Sequence, residues 1–401
     1  MARKNGVNRE LYPIDGGVCA PKGFSANGIC AGFLPRSDKY DLALIVSDKR
    51  CPAAAVYSTS AVVGAPITVC KRHLKYGLSC GVIINSGIAN VFQDDGEDLS
   101  EKVCQMAATL LKVDRADILI ASTGMIEPRL TLHTYENSLK ELVIGLEESH
   151  ENSLKAAQAI MTTDKNVKQL SYRFDLGDFS CTIGAIFKGN QRVSPNMATT
   201  LGVITTDVNI SSEMLQHAFA TVARNTFNLL DIDGVASPND MFCIMANGRA
   251  GNCKIEYLDS EYKKFCYVLK EVCWEICKRI ALEGEHEKLL ICRVLGAKSK
   301  QVARIISKKV ATSLELKRAI AENRMDKETL LCAITDVDIV EDFSELSILV
   351  KSSNGKIVFC EESKMLLFSE MVMERLLDTK EVELTIDLTK GNFSAVSISG
   401  V

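Results

Sequence analysis

Residues 192–208 read RVSPNMATTLGVITTDV. A Pro195-Asn196 turn signal gives way at once to Ala198, Thr199 and Thr200, then to an apolar, β-branched run that reads as a buried strand. Small hydroxyl residues at the mouth of such a strand add little packing, so their presence asks for another reason. A threonine hydroxyl is a poor nucleophile until a base removes its proton. If the chain is cut before the threonine, the freed α-amine supplies that base, with an ordinary pKa of about 7.7–8. The cut can be autocatalytic: the hydroxyl attacks the preceding carbonyl and water opens the resulting ester. It calls for a small residue ahead of the threonine, a turn, and a following strand that holds the new terminus. Ala198, Ser194-Pro195-Asn196 and LGVITTDV supply these features. A Thr-Thr pair before a strand is also ordinary structure, and the stretch by itself leaves both readings open.

The rest of the chain narrows the field. With 401 residues and 47% hydrophobic content, it has core material for two or three domains, or for one large two-lobed body. A net charge of −4 argues against nucleic acid as a partner, because phosphate recognition needs a concentrated positive face. The densest basic stretch, KSKQVARIISKK at 298–309, carries Val302, Ile305 and Ile306, with Val310 just beyond, at helical spacing and reads as a solvated helix face. No apolar run reaches the roughly 18–20 residues of a membrane span, so no membrane association is expected. MARKNGVNRELYP lacks the apolar core of a secretory leader. Fifteen dispersed cysteines without a CxxC pair read as reduced thiols in apolar segments, Cys80, Cys243, Cys292 and Cys332 among them; a cytoplasmic location is the expectation. Cys266, Cys273 and Cys277 share one helical stretch, but no histidine or further cysteine stands at ligand spacing, so no metal is expected. His73, His133, His150, His217 and His286 stand in polar contexts without a nucleophile elbow, which leaves a histidine-based triad unsupported.

Strand-like runs lie at 41–48, 80–87, 116–122 and 179–187, and helical patterns at 130–146, 151–161 and 262–282. A further helix follows the opening strand, with Ser211 or Ser212 as its N-cap. Asn354-Gly355 between two apolar runs predicts a hairpin, and ELTIDLTKGNFSAVSIS predicts a second one turning at Gly391. Strands and helices do not alternate strictly. The expected class is α/β to α+β, with layered mixed sheets covered by helices.

Around the opening stretch, KGNQRVSPNMATTLGVITTD (188–207) resembles the signature of the glutamate N-acetyltransferase family, the ornithine acetyltransferases of the cyclic arginine pathway. APKGFSANGICAG (20–32), DLALIVSD (41–48), INSGIAN (84–90), ASTGMI (121–126), AIMTTD (159–164) and NDMFCIMANG (239–248) resemble further blocks of that family, in its order. The resemblance implies an ornithine-acetyltransferase-like fold and cleavage between Ala198 and Thr199. That would divide the chain into an N-terminal part, 1–198, and a C-terminal part, 199–401, that begins with the nucleophile. Thr199 would then accept the acetyl group. Thr123 and Gly124 would form the oxyanion hole, a role that suits a hydroxyl donor beside a residue whose backbone N–H can come close. Thr162, Lys188, Thr199 and Glu285 would bind substrate. The implied reaction is ping-pong transfer of acetyl from N-acetylornithine to glutamate, without a metal or bound cofactor. Acetyl-CoA as a further co-substrate stays open. The implied assembly has two copies of each cleaved chain.

Several positions depart from the family pattern. Its G-M-I is Gln191-Arg192-Val193 here, and the methionine after the nucleophile is Thr200. Its S-T-N-D is Ser237-Pro238-Asn239-Asp240, and its D-G-E-G is Glu283-Gly284-Glu285-His286. AENRMDKE (321–328) replaces a D-P-N-W-G-R loop. The family's last hairpin leads into a D-Y-V-x-I-N-A-x-Y segment with two further substrate ligands, whereas this sequence ends at FSAVSISGV. Two other readings keep the same residues: an amidase or acyltransferase acting on a different acyl-amino acid, or a non-catalytic relative.

Overall fold

The β-branched runs that dominate the middle of the chain become the central strands of a mixed sheet. The computed structural model describes residues 11–33, 38–58, 60–189, 200–230, 237–283, 286–337 and 342–401. The chain divides into two compact units. One is built from residues up to Gly189 with segments ending at Thr226 and Ile276, and the other is centred on Cys277–Val401. Segments from both sides of the predicted 198/199 cut contribute to the first unit.

In the first unit the strands are β1 (Tyr12–Pro13), β2 (Phe24–Ile29), β3 (Leu42–Tyr57), β4 (Leu78–Ile88), β5 (Ile118–Met125), β6 (Lys168–Leu176), β7 (Phe179–Lys188), β8 (Leu201–Thr206) and β9 (Met241–Ala246). They form one nine-stranded sheet in the order β1-β6-β7-β8-β9-β3-β4-β5, with β2 also paired to β3. The pairs β4–β5 and β8–β9 are parallel, and the other neighbours are antiparallel. β3 is the hinge of this layout. Its first half, Leu42–Val46, lies against β4, and Ala53–Tyr57 lies against β9, with a register shift between Val46 and Cys51. A shift of this kind bends a strand and re-aims its ends. Every residue of β8 and β9 is buried; β9 is apolar throughout, and the two threonines that end β8 satisfy their hydroxyls on the Val18 and Thr182 carbonyls. Each large side chain there, such as Ile204 or Phe242, contributes about 1.5–3 kcal/mol by leaving water.

The helices α1 (Ala65–His73), α2 (Gly96–Leu111), α3 (Leu132–Ile144), α4 (His150–Ala159), α5 (Ser212–Arg224) and α6 (Ser260–Ala281) follow the predicted patterns where these were read. Ser211 is the N-cap of α5, its hydroxyl accepting the Met214 N–H at 3.2 Å. His73, read as a residue in a polar context, is buried. Its ring nitrogens lie 2.7 Å from the Ile118 carbonyl oxygen and 3.1 Å from Glu101.

In the second unit, β10 (Leu289–Ala297), β11 (Ser347–Ser352), β12 (Gly355–Glu361), β13 (Lys364–Met365), β14 (Glu381–Asp387) and β15 (Phe393–Gly400) form a sheet in the order β13-β12-β11-β14-β10-β15. α7 (Lys300–Thr312), α8 (Leu314–Ala321), α9 (Lys327–Thr335) and α10 (Glu370–Leu377) complete the unit. α7 buries Ala303, Ile306 and Val310 while its lysines stay outside, which fits the solvated helix face expected there. The predicted hairpin at Asn354-Gly355 forms, with Ser352 paired to Gly355. The one at Gly391 does not. β14 and β15 are separated by β10, which runs parallel to β14 and antiparallel to β15. The loop steps over the end of β10, where Leu388 N–H donates to the Leu295 carbonyl and Lys390 N–H to that of Gly296. A link of five residues spans the two strand spacings, about 9–10 Å, that this needs. Cys332, expected among buried thiols, is exposed on α9, whose inner face is taken by Leu330, Ala333 and Ile334. Mixed sheets covered by helices are thus present in both units, as the sequence predicts.

Candidate active site in the first unit

The parallel pair β4–β5 ends in a matched step: Ser86 lies beside Thr123, and Gly87 beside Gly124. Gly124 has φ +129°, and a Cβ there would sit 2.2 Å from the Gly87 carbonyl carbon. Only glycine fits this corner, on grounds of both conformation and space. Asn85 braces it from the other face of the sheet. Its Oδ1 accepts the Ser122 hydroxyl at 2.5 Å and the Tyr135 phenol at 2.9 Å, and its amide donates to the Ile88 carbonyl at 2.9 Å.

Three residues from separate sequence blocks meet at this corner. The Lys188 ammonium, at the end of β7, donates to the Thr162 hydroxyl at 2.5 Å and more weakly to the Thr123 hydroxyl at 3.4 Å. Lys188 and Thr123 are each only 2% exposed. An ammonium has no acceptor capacity, so both threonines use their oxygen lone pairs here and keep their own O–H free to donate elsewhere. The structure therefore brings Thr123, Gly124, Thr162 and Lys188 together. Ala198, Thr199 and Glu285 lie outside the described residues, as does Gln191-Arg192-Val193.

Two buried carboxylates that the sequence reading left without a role frame the cluster. Asp164 follows Thr162 in the loop after α4. Its Oδ1 accepts the Lys168 ammonium at 2.7 Å and the Gly189 N–H at 2.8 Å, and its Oδ2 accepts the Thr162 N–H at 3.3 Å. Burial raises the proton affinity of this carboxyl, but the Lys188 and Lys168 charges and the hydrogen bonds from Lys168 and Gly189 outweigh it and hold its pKa below the ordinary value. Asp240 precedes β9. Its Oδ1 accepts the Thr200 N–H at 2.6 Å and its Oδ2 the Ser237 N–H at 3.3 Å. The Thr200 carbonyl in turn accepts the Met241 N–H at 3.1 Å, so residue 200 is gripped on both sides. Burial dominates at Asp240 and pushes its pKa well above the ordinary value, against the two N–H bonds and Lys188. Both aspartates stand in blocks quoted for their resemblance, AIMTTD and NDMFCIMANG. That placement was the available signal, since nothing in the local pattern names their partners.

Among the described residues, no group of three or more histidine, cysteine or acidic side chains is placed to hold a metal ion. Among the same residues, no helix is long and apolar enough to cross a membrane.

Comparison with known proteins places the blocks in context. The model of the ArgJ family matches residues 25–399. The arginine biosynthesis bifunctional protein ArgJ of Caldanaerobacter subterraneus subsp. tengcongensis is 32% identical over 387 residues, covering 96% of this chain and 95% of its own. That of Streptococcus thermophilus is 35% identical over 383 residues, covering 94% and 93%. A crystal structure of the arginine biosynthesis bifunctional protein from Bacillus halodurans shares 30% identity and has a TM-score of 0.45, covering 47% of this chain and 98% of that chain. A match that runs nearly from end to end, through each of the blocks that build the corner, means that this chain belongs to the ArgJ family.

Proposed function

We propose that the chain transfers an acetyl group from N-acetylornithine to glutamate, through an acyl-enzyme on Thr199 formed after self-cleavage at Ala198-Thr199. By family membership it is an acyltransferase of arginine biosynthesis. The observation that carries the finer reading is the meeting of Thr123, Gly124, Thr162 and Lys188 at one corner, with the Thr123 and Thr162 hydroxyl hydrogens left for a ligand.

In this reading the Thr199 α-amine takes the proton of its own hydroxyl, and the oxygen attacks the acetyl carbonyl. The oxyanion of the tetrahedral state is received by the Thr123 hydroxyl and the Gly124 N–H, donors already fixed in place. Collapse breaks the amide bond, the protonated amine leaves as ornithine, and acetyl stays on Thr199 as an ester. The glutamate amine then attacks the ester through a second tetrahedral state, releasing N-acetylglutamate and the free Thr199. Lys188 and Thr162 hold the substrate, with Glu285 as the partner for its amino group. No cofactor enters these steps, and acetyl-CoA is a second donor to test. The proposed assembly is two copies of each cleaved chain, in the cytoplasm, where the fifteen free cysteines stay reduced.

The test is transfer of labelled acetyl from N-acetylornithine to glutamate by the purified chain, beside Thr199→Ala. Transfer that is lost in the variant supports the reading. Release of free acetate without transfer to glutamate favours an amidase, and no turnover of any acetylated amino acid favours a non-catalytic relative.

A further inference from the structure

Lys168 and Asp164 belong to no role assigned so far. We propose that Asp164, held by Lys168, is the positioning residue that sets Lys188 against Thr162, and that this pair thereby controls how tightly a carboxylate-bearing amino-acid substrate is bound. The inference rests on the reading of Lys188 as a substrate-binding cation.

The geometry is that of a single carboxylate joining three points of the chain. The Asp164 side chain is fully out of solvent, and that of Lys168 is 4% exposed. Through Oδ1 the carboxylate takes the first residue of β6, Lys168, and the backbone just past β7, Gly189. Through Oδ2 it takes the N–H of Thr162 in its own loop. Gly189 is the chain neighbour of Lys188, and the Thr162 hydroxyl accepts the Lys188 ammonium. Both ends of the Lys188 setting, its backbone and its hydroxyl partner, are therefore tied to the same two oxygens.

Charge gives this arrangement a binding consequence. Asp164 feels Lys188 and Lys168 together, and both favour its ionised form. With Lys168 in contact, the carboxylate is already satisfied at Oδ1, and the Lys188 ammonium rests on the threonine hydroxyls. Without Lys168, the buried carboxylate attracts Lys188 more strongly and competes with an incoming substrate carboxylate for the same ammonium. Binding weakens, while the acetyl group, once bound, still faces the same oxyanion donors.

The test is steady-state transfer from N-acetylornithine to glutamate by the full chain and by Lys168→Met and Lys168→Arg. The expected result is a KM for N-acetylornithine raised about tenfold in Lys168→Met, a kcat moved less than about threefold, and a KM largely restored in Lys168→Arg. An unmoved KM overturns the inference. So does a parallel loss of kcat and KM that tracks a lower melting temperature and is not rescued by arginine. If Lys168→Met does not fold, Lys168→Gln keeps a donor for Asp164 and removes the charge; failure of both to fold makes the pair structural and overturns the inference. A wild-type chain that transfers no acetyl group refutes the functional reading and removes this inference with it, whereas normal transfer with an unmoved KM refutes the inference alone.

Discussion

Asp164 and Asp240 flank the same lysine and accept the same number of backbone N–H bonds, two each. Their proton affinities nevertheless move in opposite directions. The difference lies in the charge around each: Lys188 and Lys168 both act strongly on Asp164, the second in contact with its Oδ1, whereas among the described residues Lys188 is the weakest influence on Asp240, behind burial and the two N–H bonds. Two N–H bonds favour the ionised form, yet they do not offset burial by themselves; two close ammonium charges do. One side of the site is thus held by a charged strut, and the other by a carboxyl whose pKa burial raises well above the ordinary value.

Removing the charged strut is expected to have the largest effect. Asp164→Ala leaves the buried Lys168 without its carboxylate and is expected to cost about 3–5 kcal/mol in urea unfolding. Asp240→Ala leaves the Thr200 and Ser237 N–H groups unpaired and is expected to cost about 2–3 kcal/mol. Asp240→Asn keeps a neutral acceptor for one of them and is expected to cost about 1 kcal/mol. A larger loss in Asp240→Asn than in Asp164→Asn would break the comparison.

The pH dependence sharpens it further. Asp164 has a depressed folded pKa, so its stabilisation is present above the unfolded carboxylate value of about 3.9 and is lost as pH falls through the folded value. Asp240 has a raised folded pKa, so its contribution is full below about 3.9 and is lost as pH rises through the folded value. Unfolding free energies measured against pH are therefore expected to flatten on the acid side in Asp164→Asn, and above pH ~4 in Asp240→Asn.

What the sequence makes legible follows the range of the interaction concerned. Ile83, Ile120 and Val203 sit in local apolar runs, and the strands that contain them form where the runs predict. The N-cap at Ser211 is decided within three residues. The path of the chain through Gly391 is not legible, because nothing local states that β10, some ninety residues earlier, enters between β14 and β15. The same limit hid the aspartates: Asp164 meets Gly189 across 25 residues, and Asp240 meets Thr200 across 40. Thr123, Gly124, Thr162 and Lys188 became legible as a set only through the resemblance of their blocks. Taken singly they read as a strand-end turn and a loop lysine; β5 and β7 stand far apart in the sheet order, so no local pattern states that their ends meet.

The central claim is that Thr199 is a new N-terminus that carries acetyl. The most direct test is the mass of the purified chain under denaturing conditions, before and after exposure to N-acetylornithine, beside Thr199→Ala. The account predicts fragments ending at Ala198 and beginning at Thr199, the second becoming one acetyl group heavier with the substrate, and a single unmodified chain in the variant. An intact wild-type chain that gains no acetyl group would contradict it.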